Sequence, residues 1–203
     1  YLVSQEGSFD ARRYGRVRLW GSLGFLVTVF AAGAWFEQFG MADFPGWTLA
    51  TLVAVVASTW LLPRLEEGQP SSSTSHGARP AMAPVLRRPQ VRWFFASACF
   101  HVLAHIAVYV FFSLYLDALG YRKSTIGVLW AVSVVVEIAW FFTQGRWLPR
   151  WPLSRWLLVC AAAMALRMGM TAAAGAWLLV LVVAQMLHAL TFAAHHTVCM
   201  ALL

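Results

Sequence analysis

The sequence predicts an all-α membrane protein with six membrane-spanning helices. Three observations lead there. Hydrophobic residues make up 61% of the 203 residues, against roughly 45–50% in an ordinary globular chain. Charged residues are 11%, where about 25% is usual, and the mean hydropathy is +0.67. The charge is also segregated: all but one of the 15 Lys and Arg lie outside six long apolar runs. A soluble domain needs far more polar surface, and disorder needs low hydrophobicity. A transmembrane β-barrel is disfavoured, since its strands alternate apolar and polar with period two.

A spanning helix takes about 20 mostly apolar residues. The runs at 19–36, 46–62, 93–116, 124–143, 156–174 and 177–200 meet or approach that length. The second is short, but Trp47 and Trp60 stand near its ends, as interfacial aromatics do. Between the second and third runs, Glu66 to Gly77 is rich in Gly, Ser and Pro. Such a segment is a solvated linker. It gives three parts: residues 1–62 with two spans, the linker 63–92, and residues 93–203 with four spans. The chain opens on Tyr1 and ends on apolar Ala201, Leu202 and Leu203, so it reads as an internal fragment.

Loop charge gives orientation. Arg12, Arg13, Arg16 and Arg18 precede the first span; Arg64, Arg79, Arg87, Arg88 and Arg92 lie in the linker; Arg146, Arg150 and Arg155 separate the fourth and fifth spans. These segments alternate, so all twelve fall on one side. The other side has only Arg122 and Lys123, with Glu37, Asp43 and Asp117. The positive-inside rule puts the basic side in the cytoplasm. It also accounts for the net charge of +7 without nucleic acid as a partner. The three cysteines, Cys99, Cys160 and Cys199, all sit in apolar runs, which argues against a disulfide framework. Small residues four apart, Gly24, Thr28 and Ala32, then Ala161, Ala165, Gly169 and Ala173, are expected to pack helix on helix.

Ionisable residues inside the apolar runs carry the functional information. One charge at mid-bilayer costs roughly 2.5–3.5 kcal/mol on insertion scales, several times what one leucine contributes, about 0.3–0.6 kcal/mol. Such residues face protein or a wet cavity. Glu137 sits mid-way along the fourth span, with Trp130, Ser133, Trp140, Phe141 and Gln144 on its helical face. Arg167 lies deep in the fifth span, about 160° around the helix from the small-residue stripe. The two are natural partners, each reducing the other's burial cost. His101 and His105 are four apart, with Tyr109 a turn on. His188 and His195 share a face with Gln185, Phe192 and Cys199, while His196 points away. Each of these also reads as a structural group bonded to a neighbouring helix. The spacing of His101 and His105 permits a metal, but no Glu follows His101 and no Cys or carboxylate cluster is nearby. No metal or other cofactor is expected. Walker, G-x-S-x-G and H-E-x-x-H motifs are absent.

Several motifs together resemble a known family. Tyr14-Gly15-Arg16-Val17-Arg18-Leu19-Trp20-Gly21-Ser22 resembles the start of the fifth transmembrane helix in major facilitator superfamily proteins of the phenylpropionate permease group. His105 with Tyr109, Gly120-Tyr121 with Ser124, Ile126 and Gly127, Val136-Glu137, Arg167 with Gly169, and Leu187-His188 with Thr191 and Phe192 follow in the same order. The resemblance implies a twelve-helix transporter, of which this chain holds helices five to ten. The Ser-rich linker would then be the central cytoplasmic loop. The group is similar to lactose permease, in which a Glu of helix eight, an Arg of helix nine and a His of helix ten couple protons to sugar. Glu137, Arg167 and His188 stand on the matching helices, but no second carboxylate follows His188. Residues 145–150 are a degenerate form of the superfamily's basic loop motif.

The reading that follows is a proton-coupled secondary transporter, not an enzyme, in a bacterial cytoplasmic membrane. It moves a small organic solute, an aromatic or other organic acid, by alternating access. Glu137 and His188 would couple protons. Arg167, His105, Tyr109, Trp130, Trp140 and Phe192 would bind substrate, and Tyr14, Gly15, Arg18, Trp20, Gly21 and Ser22 would form a structural motif. Solute, protons and lipid are the partners, and no oligomer is expected. A sugar–proton symporter of the same fold is the nearest alternative. A membrane-embedded His-dependent metalloenzyme and a non-transporting scaffold or sensor are alternatives of other classes.

Overall fold

A computed structural model describes residues 4–5, 8–62 and 82–203. A small antiparallel ribbon, β1 (Ser4–Gln5) with β2 (Ser8–Phe9), precedes the helices. The helices are α1 (Ala11–Phe39), α2 (Phe44–Trp60), the short α3 (Met82–Leu86), α4 (Pro89–Ala118), α5 (Lys123–Trp147) and α6 (Leu153–Ala174). The last run is broken into α7 (Leu178–Met186), a π-helical stretch (Ala189–Ala194) and α8 (His195–Leu202). Five of these are long and apolar enough to cross a membrane, and α2, with 17 residues, is a shorter apolar helix. The molecule is thus a multi-pass membrane protein, helical apart from the ribbon.

All six expected spans are helical, and the differences lie at their ends. The first helix begins at Ala11, not near residue 19. Asp10 is the reason: its Oδ1 accepts from the backbone N–H groups of Arg12 at 2.9 Å and Arg13 at 3.0 Å, satisfying donors a helix start leaves free. Arg12, Arg13, Arg16 and Arg18 therefore lie inside α1. The last residues of the expected linker, from 89 on, are already in α4. Residues 63–81, including the Ser-rich stretch, lie outside the described residues. Helix α4 ends in a Schellman turn: Gly120 takes φ 83°, and the N–H of Tyr121 bonds to the carbonyl of Leu116 at 3.0 Å. A left-handed residue there favours glycine.

Two compact units emerge. One comprises residues 28–92. In it the end of α1 meets α2 through aromatic contacts, Trp35 with Trp47 at 5.3 Å and Phe36 with Phe44 at 5.8 Å between ring centroids. The other comprises residues up to Val27 together with 93–203. Its apolar core joins Val108, Phe112 and Leu116 of α4 to Ile126 and Leu129 of α5 and Leu181 of α7. A second cluster seats Trp156 of α6 against Leu148 and Val198. Gly15 lets α1 lie directly on α5, since any Cβ there would collide with the Phe141 carbonyl and the Gln144 side chain. Gln144 is fully buried; its Nε2 donates to the Ala11 carbonyl at 2.8 Å and its Oε1 accepts from Thr197 at 2.8 Å.

The small-residue stripes do not pack as expected. Among the described residues Ala161, Ala165, Gly169 and Ala173 are exposed, and nothing approaches a Cβ built on Gly24 or Gly169. Helix α6 instead buries its opposite face, which carries Cys160, Met164 and Arg167. The need to satisfy a buried guanidinium outweighs the close approach that small residues permit.

Candidate functional site: a charged cavity between four helices

A cavity of about 350 Å³ opens within the larger unit. Helix α1 contributes Arg18, Gly21, Ser22 and Phe25. Tyr109 comes from α4, and Trp130, Ser133, Val134 and Glu137 from α5. His188 and Phe192 close it from the broken last span.

Glu137 is the focus. Its Oε1 accepts from the Ser22 hydroxyl at 2.6 Å, and Arg18 Nη2 stands 3.7 Å from the same oxygen. Its Oε2 meets His188 Nε2 at 3.1 Å. Both oxygens are thus engaged, which is how a buried carboxylate is stabilised. Arg18 is positioned by its own helix: Nη1 donates to Ser22, one turn on, at 3.4 Å. Its guanidinium lies 5.3 Å from the Phe141 ring and 5.6 Å from the Phe192 ring, both within cation–π reach.

Behind this lies Arg167, 1% exposed. It donates to His188 Nδ1 at 3.1 Å, to the Thr191 hydroxyl at 3.1 Å and to Gln185 Oε1 at 2.9 Å. A guanidinium only donates, so Nδ1 of His188 must be the acceptor. The proton of the neutral ring then sits on Nε2, which donates to Glu137. Arg167 fixes the tautomer of His188 as a result. Glu137 and Arg167 are not direct partners, as the sequence suggested; His188 stands between them, and the cation nearest the carboxylate is Arg18.

The aromatic wall is rigid. Trp130 Nε1 donates to Ser113 at 2.9 Å. Tyr109 lies parallel to the Trp130 ring at 5.8 Å, and Phe112 meets it edge-on at 5.5 Å. Phe192 stacks on His188 at 5.1 Å.

Of the expected site residues, Glu137, His188, Tyr109, Trp130 and Phe192 line the cavity. Arg167 and His105 stand one layer behind it. Trp140 is elsewhere: its ring packs edge-on against Trp156 at 5.5 Å. A 3.6-residue face is a wide sector, and Trp140 falls on the side that α6 covers. Arg18, Gly21 and Ser22, expected only as a structural motif, line the cavity. Counting Arg18 with the loop arginines concealed this; its spacing of four from Ser22, on a helix begun at Asp10, is the signal. His196, expected to point away, stands 6.0 Å from Tyr14 and 6.1 Å from Phe192. Trp20 is 72% exposed and takes no part. Among the described residues, no three of His, Cys, Asp and Glu are grouped as metal ligands would be.

The family model described as the MFS_1 like family matches residues 4–203, and the chain belongs to that family, within the major facilitator superfamily. It is similar to the probable 3-phenylpropionic acid transporter of Escherichia coli (strain K12), with 31% identity over 194 residues, covering 92% of this chain and 48% of that protein. It is also similar to the maltose permease of Geobacillus stearothermophilus, with 30% identity over 164 residues, covering 76% of this chain and 38% of that protein. The chain therefore spans about half, or less, of the length of these curated relatives. No solved structure matches it. With the family established, the helices are those of a partial major facilitator fold.

Proposed function

We propose that the protein is a proton-coupled secondary transporter of a small organic acid, working by alternating access in a bacterial inner membrane. The observation that carries this reading is the Glu137 carboxylate held between two cations' helices, with Arg18 at the cavity surface and Arg167 behind His188. A carboxylate beside a cavity-facing guanidinium competes with any anionic solute for that guanidinium. Protonation of Glu137 frees Arg18 to take a solute carboxylate in bidentate fashion. Release of the proton restores the Arg18–Glu137 pair and expels the solute. Arg18 replaces Arg167 as the solute anchor, because Arg167 is fully buried and all its bonds go to protein groups.

Tyr109, Trp130 and Phe192 offer flat faces to a ring, which suits an aromatic acid. The name of the Escherichia coli relative points the same way. A sugar also stacks on aromatics, and the maltose permease likeness keeps that reading as the second. The solute, protons and lipid are the partners; no enzymatic chemistry and no oligomer are part of the proposal. The division at 63–92 into two halves, the linker being the central cytoplasmic loop, belongs to the same reading.

The deciding experiment is uptake of 3-phenylpropionate and of maltose into proteoliposomes holding the full-length protein, with an imposed pH gradient. Accumulation of the acid driven by an inward proton gradient is expected. Accumulation of maltose in its place would transfer the reading to a sugar symporter, and uptake indifferent to the gradient would remove proton coupling.

A further inference from the structure

Three buried histidines take no part in the cavity. His101 and His105 lie on α4, and His195 opens α8; they are 7%, 6% and 8% exposed. The rings of His101 and His195 stack in parallel at 3.6 Å, with 8° between their planes. His105 lies 5.4 Å from His101 and 5.7 Å from His188, which bonds Glu137. The rings therefore form one continuous series from His195 to the carboxylate.

The bonding within the series is informative. His101 Nε2 meets the Thr191 carbonyl at 2.5 Å. A carbonyl only accepts, so this nitrogen keeps its proton and Nδ1 is the site free to gain one. His105 Nε2 is buried with no partner. An unpaired buried nitrogen costs stability, so its persistence calls for a function. No carboxylate pairs with His101, His105 or His195 among the described residues.

We propose that His101, His105 and His195 form a second proton site, which holds one proton and exchanges it with Glu137 through His188. This rests on the proton-coupled reading above. Two adjacent rings at stacking distance do not both carry charge, because like charges so close disfavour each other. One charged and one neutral imidazole stack favourably. The proton joins a free imidazole nitrogen of the pair. Rotation of the His105 ring then carries it across the gaps on either side. At His188 it adds to Nδ1 while the Nε2 proton passes to Glu137 Oε2, leaving a neutral ring and a carboxylic acid. Arg167 occupies Nδ1 in this structure, so transfer waits on its release, and the relay is gated.

Other titratable or charged groups around the series are Tyr109 on α4, Arg167 and Cys160 on α6, His196 and Cys199 on α8, and Arg18 on α1. Of these only Cys199, 3.7 Å from His195 Nε2, touches the stacked pair. His195 lies seven residues beyond His188 in an antiparallel helix, about 10 Å further along at helical rise. It lies toward the end of α4 that the charge distribution assigns to the cytoplasm.

The test uses the full-length protein in lipid nanodiscs, with isotope-labelled histidine observed by nuclear magnetic resonance during a pH titration. His101→Gln, His105→Gln and His195→Gln assign the signals. The three rings are expected to take up one proton in a single coupled step, whose midpoint moves in Glu137→Gln. Independent titrations, or a step indifferent to Glu137→Gln, overturn the proposal. In proteoliposomes, His105→Gln is expected to slow proton-driven 3-phenylpropionate uptake by roughly 10²-fold, the lower range for a positioned acid–base group. Counterflow of the same solute stays unchanged, which shows that the variant is folded, and added imidazole restores part of the rate. Proton-driven uptake unchanged in His105→Gln but lost in Glu137→Gln overturns the second site alone. Uptake unchanged in Glu137→Gln overturns the Glu137 reading, and the relay with it.

Discussion

At the scale of single residues, the cavity separates two arginines that the sequence presents as alike. Arg18 meets solute-sized space, and Arg167 meets only protein. Their substitutions should differ in kind. Arg18→Lys keeps the charge but loses the planar fork, so KM for an organic anion is expected to rise by about tenfold, equivalent to about 1.4 kcal/mol. Arg167→Met leaves Gln185 and Thr191 without their donor and frees His188 to choose its tautomer. Its expected signature is a stability loss of about 1–3 kcal/mol per orphaned group, read by unfolding in mixed micelles. Glu137→Gln removes the titration and keeps most of the shape. It should abolish accumulation driven by a proton gradient yet leave solute exchange intact. An exchange rate that falls as far as accumulation would make Glu137 a structural group.

Among the helices, the contact between α1 and α5 sets the site. Gly15 permits it, Gln144 ties it, and Ser22 reaches Glu137 as a result. Gly15→Ala must push the helices apart. A cost of about 1–3 kcal/mol is expected, as for other overpacked contacts, along with loss of activity. Gly24→Ala, on the same helix but facing open space, is the control and should be neutral in a thermal-shift assay. The existence and order of these helices were legible, because apolar runs report the membrane directly. Their ends were not. Apolarity marks where lipid begins, whereas the start of α1 is set by the Asp10 cap several residues before it. That error moved Arg18 from the cavity to a loop. The pairing of Glu137 with Arg18, not Arg167, was illegible for a further reason: helix-to-helix contact across 119 positions of sequence leaves no periodic trace.

For the molecule as a whole, the charge distribution assigns the linker to the cytoplasm and the α1–α2 turn to the outside. Ser73→Cys should be protected from a membrane-impermeant thiol reagent in intact cells, and Asp43→Cys should react; the test needs Cys99, Cys160 and Cys199 replaced first. Labelling of Ser73→Cys from outside would invert the topology. The turns after α4 and α6 carry a matching feature. Tyr115 donates to the Thr171 carbonyl at 3.1 Å, and Tyr121 to the Gly175 carbonyl at 3.0 Å. These bonds join the two helix pairs at one end, so α4 to α8 should move as one block during transport. Tyr115→Phe with Tyr121→Phe is expected to loosen that end, visible as faster amide hydrogen exchange at residues 171–175.

The π-helical stretch has a consequence for insertions and deletions. A π turn is an α-helix that has accommodated an extra residue. Deleting one residue within Ala189–Ala194 would let the last span run as plain α-helix. Everything after the deletion would then rotate by about 100°. His195 would leave the His101 ring, and Thr197 would leave Gln144, while His188 and the residues before it kept their places. A frame of three nucleotides therefore separates the present arrangement from one in which α8 shows α4 and α5 a different face.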